Sequence, residues 1–113
     1  MKDVTKDEIK DAYGDLKKEL RCSIKHWMYN LRQALAGEDF NIYGRHCALC
    51  YAHHRILSGQ CEGCPLGGGE YCCQEWRDVL DSLRQDRSTS KEILVPIGKM
   101  LLRLLQELEK MDR

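Results

Sequence analysis

The sequence predicts a mainly α protein, with two long amphipathic helices, a shorter one, and a glycine-rich cysteine knuckle inserted between them. Three observations carry this. Apolar residues recur at helical spacing toward both ends of the chain, and the middle loses that period. Six of the seven cysteines fall in the 27 residues from Cys47 to Cys73. At 113 residues the chain reads as one domain, residues 1–113, able to bury a modest core.

The first element is predicted over residues 5–37. Thr5-Lys-Asp-Glu8 is a capping box, in which the Thr hydroxyl accepts the Glu8 amide and the Glu carboxylate reaches back. Ile9, Tyr13, Leu16, Leu20, Ile24, Trp27, Leu31 and Leu35 follow at spacings of three and four, one stripe on a helix. Gly37 supplies the stop. The expectation is one continuous helix of ~30 residues, about 45 Å at 1.5 Å per residue. A helix that long packs in a hairpin or bundle, or pairs with a partner chain.

Residues 38–75 form the predicted knuckle. Gly44, Gly59, Gly63 and Gly67-Gly68-Gly69 permit tight turns and leave few side chains to bury. A middle helix is predicted over 72–87, with Trp76, Val79, Leu80 and Leu83 on one face. The C-terminal helix is predicted over 89–112, opened by a second capping box, Thr89-Ser-Lys-Glu92. Ile93, Ile97, Met100, Leu101, Leu104, Leu105, Leu108 and Met111 form its apolar stripe. Pro96 lies inside that pattern, so it either kinks the helix or marks its first turn. The two long helices either cover each other as an antiparallel hairpin or leave apolar surface for a homodimer or another protein partner.

Charge narrows the function. Lys+Arg and Asp+Glu both total 18. Residues 1–37 carry a net +2, 38–75 a net −3 and 76–113 a net +1, so no region makes a strong field for nucleic acid or acidic lipid. Met1 to Lys10 is charged throughout, unlike a signal peptide, and no run approaches the ~20 apolar residues that span a bilayer. The expected location is therefore the cytoplasm, where thiols stay reduced and clustered cysteines favour metal over disulfides. In an oxidising compartment the same six cysteines would instead form three disulfides.

Cys47-Ala-Leu-Cys50 and Cys61-Glu-Gly-Cys64-Pro65 are two Cys-x-x-Cys pairs with a ten-residue spacer. Each pair lets one tight turn present two thiolates to a tetrahedral ion, at Zn–S distances of about 2.3 Å. A structural zinc contributes roughly 10–16 kcal/mol of apparent binding free energy, which a core-poor segment needs to offset its ordering entropy. Cys47, Cys50, Cys61 and Cys64 are the first ligand set. Cys72 is a competing fourth ligand, and Cys73 beside it has a different role, since adjacent cysteines seldom bind one ion together. His46, His53 and His54 are near enough in sequence for a Cys₃His site. An iron–sulfur cluster is the minor metal alternative, because proline after the second cysteine also occurs at such sites.

Catalytic patterns are missing from the sequence. The glycine run lacks a Lys-Ser/Thr ending, no serine sits in a nucleophile elbow, and no His-x-Glu precedes a Pro-Cys-x-x-Cys. A thioredoxin-type reading of Cys47-Ala-Leu-Cys50 lacks its βαβ setting. Six available thiols point to a closed metal site, so the expectation is a protein that is not an enzyme. Nucleic-acid binding is the alternative function. Arg45, His46, His53, His54 and Arg55 form a modest basic group, with Tyr43 and Tyr51 for stacking, but Glu62, Glu70 and Glu75 stand in the same segment.

Cys47-Ala-Leu-Cys50, Cys61-Glu-Gly-Cys64-Pro65-Leu66 and Gly69-Glu-Tyr-Cys72, preceded by Lys25-His26-Trp27, resemble a group of small bacteriophage and prophage proteins of unassigned function. Those carry a Cys-x-Leu-Cys pair, a Cys-x-Gly-Cys-Pro-aliphatic pair, a later single cysteine and a C-terminal helix. The resemblance covers roughly residues 25–76. It departs at Cys73-Gln-Glu-Trp76, where the group often carries a Thr-Pro-Tyr element. It implies a phage-encoded protein acting in the bacterial cytoplasm and favours Cys72 as a metal ligand, and it brings no known activity. The resulting expectation is a zinc-stabilised protein-interaction module that binds a host protein, such as a defence factor, or a second copy of itself.

Overall fold

The computed structural model describes residues 2–38, 74–84 and 91–111. Four α-helices make up these parts: α1 (Lys6–Ala12), α2 (Leu16–Leu35), α3 (Gln74–Arg84) and α4 (Leu94–Met111), the last preceded by a 3₁₀ turn, Lys91–Ile93. No strand occurs among the described residues. No helix among them is long and apolar enough to cross a membrane.

The N-terminal stretch is two helices where the spacing predicts one. Its start is as expected, with the Thr5 hydroxyl accepting the Glu8 amide at 3.2 Å and the Glu8 carboxylate accepting the Thr5 amide at 3.4 Å. The helix then stops at Ala12, because Tyr13 is extended in ψ and Gly14 takes φ +91, a left-handed value that disfavours any side chain. A second start follows at once. Asp15 caps α2 by accepting the Lys18 amide at 3.2 Å, and Glu19 accepts the Gly14 amide at 3.0 Å. The corner turns Tyr13 out to solvent, away from the apolar stripe to which the spacing assigns it.

The end of α2 is a Schellman turn. Gly37, at φ +72, donates its amide to Ala34 at 3.2 Å, and Glu38 donates to Gln33 at 2.8 Å. In α4, Pro96 is the third residue of the helix, so its missing N–H falls in the first turn, where little is lost. Thr89, the capping residue of the expected Thr89–Glu92 box, lies outside the described residues, as do the side chains of Trp76 and Leu83.

The principal packing is α2 against α4, the arrangement expected if the long helices cover each other. Leu20 and Trp27 of α2, Val79 of α3, Ile93 of the 3₁₀ turn, and Ile97, Met100, Leu101 and Leu104 of α4 form one buried cluster. Each fully buried apolar side chain of this size contributes about 1.5–3 kcal/mol. A separate small cluster of Val4, Ile9 and Ala12 holds α1 on α2 beside Cys22.

Candidate functional site

The predicted ligands Cys47, Cys50, Cys61, Cys64 and Cys72 all lie outside the described residues, together with Cys73, His46, His53 and His54. Arg45, Arg55, Tyr43 and Tyr51, the basic and stacking group, lie outside them too. Among the described residues no group of three or more His, Cys, Asp or Glu side chains is placed to hold a metal. The helices on either side of the cysteine segment do carry three features with chemical content.

The first is a buried polar row on α2. Glu19, Ser23, His26 and Asn30 follow at spacings of four, three and four, beside the apolar face that meets α4, and all four are buried. Nδ1 of the fully buried His26 lies 2.7 Å from Oδ1 of Asp3, which also accepts the Val4 amide at 2.7 Å. Nε2 of the same ring lies 3.4 Å from the Asn30 side-chain amide. The Asp3 carboxylate can accept from Nδ1, and the Asn30 side-chain amide can donate to Nε2. The imidazole stands edge-on to Trp27, with centroids 5.6 Å apart at 71°. The Trp27 indole Nε1 is buried with no hydrogen-bond partner among the described residues.

The second is a groove of about 410 Å³ between α1 and α2, lined by Glu8, Asp11, Ala12, Lys18, Arg21, Cys22 and Lys25. Lys25 Nζ sits 2.8 Å from Glu8 Oε2 across it. The Lys25 hydrogen bond holds the Glu8 carboxyl below its ordinary range, and Glu8 in turn pushes the Lys25 ammonium up. Both side chains are largely exposed, so the pair is screened and adds little stability. The half-buried Cys22 thiol contributes to the floor.

The third is an apolar edge on α4. Val95, Leu102 and Leu105 are 58, 56 and 50% exposed, and Gly98 sits between them with open space where a Cβ would project. The positions run 95, 98, 102, 105, a three-four-three spacing that places them on one side of the helix. They adjoin the buried stripe of Ile97, Leu101 and Leu104, so α4 is apolar over more of its circumference than the core covers. Arg103 and Lys110 both pair with Glu107, at 3.4 and 3.1 Å, on the charged side of the same helix.

Periodicity alone does not reveal the α2 polar row as buried. Its signal was available, since Glu19, Ser23, His26 and Asn30 share the helical spacing of the apolar stripe one step round the helix. Polar residues at that spacing read equally as a solvated face, and only their burial distinguishes the two. Comparison with known proteins adds nothing further: no family model, no curated protein and no solved structure matches the chain.

Proposed function

We propose that the chain is a zinc-stabilised protein-interaction module, with no catalytic activity, in which Cys47, Cys50, Cys61 and Cys64, with Cys72 competing for a place, hold one structural zinc. The exposed apolar edge of α4 carries the reading. Val95, Leu102 and Leu105 stand out beside the buried stripe of Ile97, Leu101 and Leu104, and exposed apolar surface of this kind is what a protein partner covers. The two Cys-x-x-Cys pairs support the zinc. The resemblance of the cysteine segment to small phage proteins supports a phage-encoded accessory protein in the bacterial cytoplasm, binding or inhibiting a host protein such as a defence factor, or pairing with itself.

Metal analysis with native mass measurement tests the proposal, alongside a Leu102→Glu/Leu105→Glu variant. The expected result is one zinc per chain and a protein complex, hetero- or homomeric, that the variant loses while keeping its helicity and its zinc. Protein free of metal with oxidised thiols removes the zinc reading. Complex formation that the variant retains removes the α4 edge as the binding surface.

A further inference from the structure

We draw no further inference here: the strongest candidate, the exposed apolar edge of Val95, Leu102 and Leu105 on α4, belongs to the surface already described, and nothing in the structure shows what covers it.

Discussion

Two regions of the molecule share helix α2 but are assembled by different means. On one side, α2 meets α4, on which α3 also packs, through an apolar cluster containing Leu20, Trp27, Ile97 and Leu104, all essentially closed to solvent. On the other, the seven residues of α1 rest on α2 through three small or medium apolar side chains, an exposed ion pair and the Asp3–His26 contact. A helix of seven residues is too short to persist alone in water, so α1 exists only as long as it is docked. The α2–α4 contact is a core. The α1 contact is a corner fastened to that core by specific polar groups and backbone conformation.

The difference can be broken from the core outward. Leu104→Ala removes a fully buried side chain from the α2–α4 contact and should cost about 2–5 kcal/mol, lowering the chemical-denaturation midpoint as one cooperative transition. A variant that lost only local protection in α4 would show that the core is not one unit. Asp3→Ala removes the carboxylate 2.7 Å from Nδ1 of the buried His26 and should cost about 1 kcal/mol. Its signature is regional: native-state hydrogen exchange should accelerate across α1, with the slowest α4 amides moving less. Equal acceleration in both would mean that the Asp3–His26 contact belongs to the core and not to the corner.

Gly14→Ala sharpens the same contrast. There is room for the added methyl, but a side chain is strained at φ +91, so the expected loss is about 1 kcal/mol, again concentrated in α1. Full retention of stability would show that the corner relaxes to accommodate alanine. The smallest effect belongs to Lys25–Glu8. Glu8, depressed by its partner, adds stability that is present above the ordinary carboxylate value of 4.5 and fades as pH falls through its lowered pKa. Lys25, raised by the same contact, adds stability that is present below its ordinary value of 10.5 and fades as pH rises through its raised pKa. Between those limits Lys25→Ala should shift a thermal midpoint barely at all, and added salt should erase what shift there is.

Much of the helical frame was legible, and the reasons are local. Thr5 with Glu8, Gly37 at the end of α2, and Pro96 in the first turn of α4 each act through backbone geometry within a few residues, which a sequence displays directly. The break at Gly14 was also written there, as glycine followed by a capping aspartate. Ile9, Tyr13 and Leu16 nevertheless keep helical spacing across it, and spacing does not register a change of axis. The burial of Glu19, Ser23, His26 and Asn30 depends on what packs over them, so periodicity could not separate it from a solvent face. The cysteine segment presents the reverse case. Its cysteine spacing is the most specific signal in the sequence, yet it lies outside the described residues, and the proposed metal rests on spacing and thiol chemistry alone.

The closing turn of α2 separates two parts of the chain. The amides of Ala36, Gly37 and Glu38 return to carbonyls within the last turn, so the helix end needs no later residue to complete its hydrogen bonding. The register of Leu20, Trp27 and Leu31 is thus set by hydrogen bonds that close within α2, while their burial still depends on Val79, Ile97 and Leu104 further along the chain. The junction is a firebreak for backbone register alone, because the helices on its two sides still share one buried cluster.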